Sequence, residues 1–533
     1  INMKKLRLIF IVTTVNLLIF SCSSNRRNSN VSQATGLDIN SNRGGFQYKT
    51  NYKGQEVGPG LVFVPGGTYV KGRVQDDVMR DWNNSPVRVQ VRSFFLDETE
   101  VTNMMYLEYL DWLERVYKDN PDEKYKEVYF SAIPDTMVWR SPLGFNEDMV
   151  NNYLRHPAFR NYPVVGVSWQ QAVNFAKWRT ERVNESILER EGFLDRAVSL
   201  QIDSIIPGNE FYTDTYLKAP NQSYGGNYKD VAGRAAQPKR DADSSSFNFV
   251  KRKDGLLLPE YRLPTESEWE YAALGLSGVR EYNNYRGKKK YPWSGGSTRT
   301  NSRKNEGDQL ANFKQGKGDY SGIAGWSNDG SDISAPVRTY PPNDYGLYGM
   351  AGNVSEWVAD VYRPIINTDV TDLSYYRGNL YSKPEIGPDG KIVVLNEIVI
   401  DTMPNNKIYV KSLPGQVKNV EINDGDAKLR ANFDRAFNSN FLDGDEKSNP
   451  SEEEMYKFAV DNKGEVINDG EKVKSLVSDQ TRVVKGGSWK DRSYWLDPSQ
   501  RRLMPEFMSA DYIGFRCAMS YLGATDNKKR PRD

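Results

Sequence analysis

Cysteine and histidine are almost missing from this chain: 533 residues hold two cysteines, Cys22 and Cys517, and one histidine, His156. Two thiols so far apart cannot build the disulfide frame of a small secreted domain, so a core must hold by packing alone. A single imidazole excludes most His- or thiolate-based zinc sites and argues against a Ser-His-Asp triad. His156, in Tyr153-Leu154-Arg155-His156-Pro157, is read as a hydrogen-bonded structural residue. An excess of one charge is missing too: 71 Lys and Arg stand against 70 Asp and Glu, which points to neither nucleic acid nor an acidic polymer as partner. Beyond the first 20 residues there is no hydrophobic run long enough to cross a bilayer.

The N-terminus carries Lys4, Lys5 and Arg7 before an apolar stretch over residues 8–20, closed by Ser21 and Cys22. A charged start, a short apolar centre and a small residue before cysteine read as a lipoprotein signal peptide over residues 1–21. Cleavage would leave Cys22 to carry covalent lipid, and two or three acyl chains anchor a protein stably where one does not. Residues 22–55, rich in Ser, Asn, Gly and charge, read as the lipidated N-terminus and a tether. With Cys22 lipidated, Cys517 has no partner within the chain.

Along the body, β-branched residues from Gly60 to Val70 are interrupted by Pro65-Gly66-Gly67, which suggests a hairpin. A helix follows Thr102, its cap, with Tyr106, Leu110, Leu113 and Tyr117 on one face. Ser168 with Gln171 forms a capping box, ahead of an inner stripe of Trp169, Ala172, Val173 and Ala176. Thr265 with Glu268 forms another. Glu266, Glu268 and Glu270 could suggest acid–base work, but capping and the helix dipole account for the first two. From Ala335 to Trp357, closely spaced Gly, Pro and Asn among aromatics describe irregular backbone pinned by large side chains.

Seven blocks carry a resemblance: the Pro-Gly-Gly turn, Asp97-Glu98-Thr99-Glu100-Val101-Thr102-Asn103, Pro163-Val164-Val165-Gly166-Val167-Ser168-Trp169, Arg262-Leu263-Pro264-Thr265-Glu266-Ser267-Glu268-Trp269-Glu270, Gly352-Asn353-Val354-Ser355-Glu356-Trp357, Gly486-Gly487-Ser488-Trp489 and Gly514-Phe515-Arg516-Cys517. Together they resemble the formylglycine-generating-enzyme, or sulfatase-modifying-factor, domain. The resemblance implies an α+β fold related to C-type lectins with little regular secondary structure. It would extend over residues 56–523, with insertions at about 180–258 and 363–481, before a basic tail at 524–533. Active members carry two copper-binding cysteines after the Gly-Gly-Ser block. Here residues 489–497 read Trp-Lys-Asp-Arg-Ser-Tyr-Trp-Leu-Asp, without the sulfur that a Cu(I)–thiolate site requires. No catalytic residue is therefore expected and no cofactor is required. The resemblance also implies a calcium site using Asn312 and Asp329 with backbone oxygens of Phe313 and Ser331. A second would use Glu356 with the carbonyls of Gly352 and Val354, but Gly349 stands where the family has Asn or Asp. Turn capping is the competing reading of both sets.

The signal peptide, the missing thiols, and blocks such as Asp81-Trp82-Asn83-Asn84 and Asp360-Val361-Tyr362-Arg363-Pro364 resemble the gliding-motility lipoproteins of Bacteroidetes (the GldJ/GldK family). That resemblance implies a lipid-anchored outer-membrane protein facing the periplasm, a structural component of gliding and type IX secretion, with partners such as GldK and GldN. The absence of an acidic cluster after Cys22 agrees with the periplasmic leaflet. A residual enzyme of the same fold and a periplasmic glycan-binding module are the alternatives; the many aromatics are read mainly as core.

Overall fold

The computed structural model describes residues 31–523 except 33, 42–44, 49–51, 53, 76–83, 196–206, 238–246, 276–287, 316–328, 364–372, 379–380, 404–406, 423 and 428–479. Cys22, the signal peptide, the basic tail, Asp81 to Asn83 and parts of both insertions lie outside the described residues. Contacts divide the chain into two units. The smaller comprises residues 1–55, 250–256 and 523–533, the larger residues 56–249 and 257–522. In the smaller unit, Lys253 Nζ donates to Gln47 O at 3.2 Å.

Two four-stranded sheets form the frame of the larger unit. One is antiparallel throughout, in the order β1 (Leu61–Val64), β4 (Phe94–Asp97), β14 (Ala518–Ser520), β5 (Tyr261–Arg262). The other runs β12 (Arg502–Pro505), β11 (Thr481–Lys485), β6 (Ser355–Val361), β13 (Ile513–Phe515), with β13 parallel to β6 and the other pairs antiparallel. Short strands, modest helices and long irregular connections make the fold α+β, as expected from the sequence.

The expected hairpin across Pro65-Gly66-Gly67 does not form. β1 pairs with β4, whereas β2 (Gly67–Lys71) leaves for a separate ribbon with β3 (Val87–Val91). The turn is a junction between two strand pairs. A Cβ on Gly66 would lie 2.5 Å from Ser93 N and 2.6 Å from Val91 O, so the glycine is there to let backbones touch. Gly66→Ala is expected to cost about 1–3 kcal/mol, as overpacking does; an unchanged urea midpoint would show that the backbones part easily at this junction.

The helices follow local signals closely. Thr102 caps α1 (Asn103–Leu113) through Met105 N, and Tyr106, Leu110, Leu113 and Tyr117 are all buried. Complete capping boxes open α3 (Trp169–Arg190) at Ser168 and Gln171, and α4 (Glu266–Leu274) at Thr265 and Glu268. Between α1 and α3 lies α2 (Glu123–Ala132). On α3 the stripe divides: Ala172 and Ala176 are buried, while Trp169, Val173 and Ala176 line a cleft of about 510 Å³ shared with Tyr376 and Tyr521. The central core joins Val64, Phe94, Leu96, Trp269, Leu347, Val358, Val483 and Ala518, so both sheets and α4 meet in it.

α3 runs ten residues past the insertion start read from the sequence, and described parts of that insertion pack back on it. Asn184 Nδ2 donates to Thr213 Oγ1 at 3.2 Å and Tyr224 OH to Glu185 Oε1 at 2.9 Å. The second insertion supplies two small antiparallel ribbons, β7 (Ser382–Pro384) with β10 (Asn419–Glu421), and β8 (Val399–Thr402) with β9 (Ile408–Ser412).

Candidate functional site

β11 delivers the chain into Gly486 and Gly487, whose φ values of +96° and +68° suit glycine. A Cβ on Gly487 would lie 2.7 Å from Trp495 O, so the segment that follows folds tightly back over the glycines. Its polar groups are committed. Ser488 Oγ donates to Asp491 Oδ2 at 2.5 Å, and Arg502 Nη1 donates to Asp491 Oδ1 at 2.8 Å. Lys490 forms an ion pair with Asp511 and lies 4.8 Å from the Trp489 ring centre; Arg502 lies 4.5 Å from that of Trp495. Trp489 stacks on Trp139 at 6.2 Å and donates its N–H to Asp511 O. Ion pairs faced by indole rings hold this segment together. These residues do not fit a copper–thiolate centre, and no step through copper follows.

Cys517 and His156 both hold structural contacts. Cys517 is buried, its thiol pushed up to about 12 by burial and by Asp97, whose carboxylate accepts from the Cys517 backbone N–H at 2.8 Å. A thiol held neutral in this way is a poor nucleophile. His156 is exposed and accepts from Ala158 N through Nδ1 at 3.2 Å, capping the short turn Pro157–Phe159.

The two calcium sets fare differently. The first is brought together: Asp329 accepts from Phe313 N at 3.1 Å and from Ser331 N at 3.2 Å. Asn312 donates to Ile333 O at 2.7 Å, leaving its buried Oδ1 without a hydrogen-bond partner. A buried amide oxygen without a partner is the kind of acceptor a hard cation would take, while the Asp329 carboxylate is already engaged by two backbone N–H groups.

In the second set, Glu356 has other partners. Glu356 is buried and accepts from Arg516 Nε and Nη2, both at 2.6 Å, and from Trp269 Nε1 at 2.8 Å. Its negative charge is already matched. At Gly349, φ +64°, a Cβ would lie 2.4 Å from both carboxylate oxygens of Glu100, so Glu100 fills the space a side chain at 349 would need. Glu100 accepts from Asn353 Nδ2 at 2.9 Å and lies 4.0 Å from Arg516 Nη2. Glu356 and Glu100 thus hold one guanidinium between them.

A larger ion network lies under the Gly-Gly turn. Glu266 meets Lys71 at 2.9 Å, Arg501 at 3.1 Å and Lys485 at 3.5 Å; Glu270 meets Lys288 at 2.5 Å and Lys485 at 3.2 Å. The surrounding cations outweigh burial and hold both carboxyls below the usual carboxylate range. Glu268 instead pairs with Arg262 at 2.7 Å while capping its helix. The three glutamates are therefore ionised and paired, which suits architecture better than proton transfer. Nothing in the sequence marks Lys71, Lys485, Glu100 and Arg516 as ion-pair partners; the i, i+4 spacing of Glu266 and Glu270 is the available hint.

The sulfatase-modifying factor enzyme 1-like domain family matches residues 48–394. A formylglycine-generating enzyme of Thermomonospora curvata is 25% identical over 57% of this chain and 73% of its own length. The mouse formylglycine-generating enzyme is 39% identical over 56% of this chain, and the match spans only 58% of that protein. A mouse protein named inactive C-alpha-formylglycine-generating enzyme 2 is 41% identical over 58% of this chain and 72% of its own length.

Proposed function

The chain belongs to the sulfatase-modifying factor enzyme 1-like family, and on that footing we propose that it is a non-catalytic member, lipid-anchored at Cys22 in the outer membrane and facing the periplasm. There it acts as a structural and interaction component of gliding motility and type IX secretion, with proteins such as GldK and GldN as partners. The observation that carries the non-catalytic reading is the closed Gly-Gly-Ser segment, in which Lys490 and Asp491 form ion pairs where the fold's redox chemistry requires sulfur. The buried, neutral thiol of Cys517 and the surface position of His156 support it. Similarity to a relative named inactive agrees with it. The lipoprotein signal supports the location, and the insertion ribbons offer surface for partners. Asn312 and Asp329, with the carbonyls of Phe313 and Ser331, would hold a calcium ion, whose role there would be to fix the loop rather than to react.

The test is affinity purification of the full chain after gentle detergent extraction, followed by size-exclusion chromatography and mass spectrometry. Elution in a large assembly with gliding or secretion proteins, together with loss of membrane attachment in Cys22→Ala, is expected. Elution as a lone monomer would remove the scaffold reading. Conversion of a cysteine peptide to formylglycine by the purified protein would restore an enzymatic one. The cleft holding Trp169, Tyr376 and Tyr521 favours glycan binding as the second reading, tested by retention on a peptidoglycan column and its loss in Tyr376→Ala.

A further inference from the structure

Between α1, α2, α3 and the ribbon strand β9 lies a cavity of about 70 Å³. One water needs roughly 10–15 Å³ of such space, so there is room for a group of about five non-hydrogen atoms. Its walls are largely apolar, with Leu113 and Val128 on the helices and Val410 and Leu413 on or beside the ribbon. Trp112, Trp178 and Arg182 also line it. The indole Nε1 of Trp112, that of Trp178 and the Nε of Arg182 are each buried without a hydrogen-bond partner.

Indole and guanidinium N–H groups only donate. Buried donors are almost always satisfied in native proteins, so three unmet ones around a single cavity call for an acceptor that belongs there. The charges agree: Lys177, Arg182 and Lys411 line the cavity against one acid, Glu181. That acid is turned to Thr213, accepting from its N at 2.5 Å and its Oγ1 at 2.6 Å. The guanidinium of Arg182 lies 4.8 Å from the Trp112 ring centre; its salt bridge to Glu185, through Nη1, leaves Nε available. An acceptor-rich anionic head with a small apolar body satisfies all of these features.

We propose that this cavity binds a short-chain monocarboxylate, its carboxylate accepting from Trp112, Trp178 and Arg182 and its tail lying against Val128, Val410 and Leu413. Because the ribbon closes the site, the ligand also fastens the second insertion to the helices. The proposal stands independently of the scaffold reading.

Calorimetric titration of the full chain with propionate and butyrate, and with propanol and butanol as controls, tests it. Saturable binding of the carboxylates and none of the alcohols is expected. Trp178→Phe, which keeps a ring but removes the donor, is expected to weaken binding about tenfold, as loss of a charge-assisted hydrogen bond does. Leu413→Trp, which fills the cavity from the ribbon side, is expected to abolish it, with folding of each variant checked by its melting curve. Absence of saturable heat with any carboxylate, equal binding of the alcohols, or unchanged affinity in folded Leu413→Trp would overturn the proposal.

Discussion

Arg516→Met is expected to lower stability by about 3–5 kcal/mol near pH 8, as removal of one partner from a buried ion cluster does. Arg516 is buried between Glu356, which accepts two of its N–H groups at 2.6 Å, and Glu100, 4.0 Å away. Methionine fills much of the same volume but leaves two carboxylates without a cation. The loss should shrink towards pH 5, because Glu100 can then take up a proton and bury as a neutral acid. The intact protein already leans that way: burial pushes Glu100 up to about 7, against the pull of Arg516. A carboxyl raised above its unfolded value contributes stability below about 4.5, and that contribution is lost as pH rises through about 7. Urea midpoints of wild type, Arg516→Met and Glu100→Gln at both pH values check this. An equal loss from Arg516→Met at both would mean that packing, not charge, is what the arginine supplies.

Glu266→Gln is the second large effect, also about 3–5 kcal/mol near neutral pH. Lys71, Lys485 and Arg501 converge on this carboxylate, and its removal leaves three buried cations with less negative charge among them. Those cations hold the Glu266 carboxyl well below its ordinary value. Its contribution is therefore present above the unfolded carboxylate range and disappears as pH falls through and below it, opposite in sign to Glu100. Lys485→Met should cost less, because the network is rich in cations and Glu266 keeps two of them. Chemical denaturation near neutral pH distinguishes the two variants; a greater loss from Lys485→Met would place the weight of the network on the lysine.

Features decided within one helical turn were legible in advance. Thr102, Ser168 with Gln171 and Thr265 with Glu268 cap their helices because a cap depends on neighbours three residues away. Pro65-Gly66-Gly67 misled because its local chemistry suits a turn, while the pairing of β1 and β2 is decided by β4 and β3, which lie further along the chain. The Glu100–Arg516 and Glu356–Arg516 contacts were out of reach for the same reason: nothing in the flanking residues marks a partner 160 or more positions away. Residues 489–497 announced their lack of sulfur, but not that salt bridges and indoles would hold them together.

The inner places in both large sheets depend on late chain. β14, residues Ala518–Ser520, sits between β4 and β5, and β11, from residue 481, sits between β12 and β6. During synthesis the first three hundred residues thus emerge with unpaired strand edges and wait for partners made at the end. Such non-local pairing slows folding, since loops must close before any contact rewards them. It also makes the domain nearly indivisible: a ribosome that stops short of residue 518 releases a chain with no means of closing its first sheet.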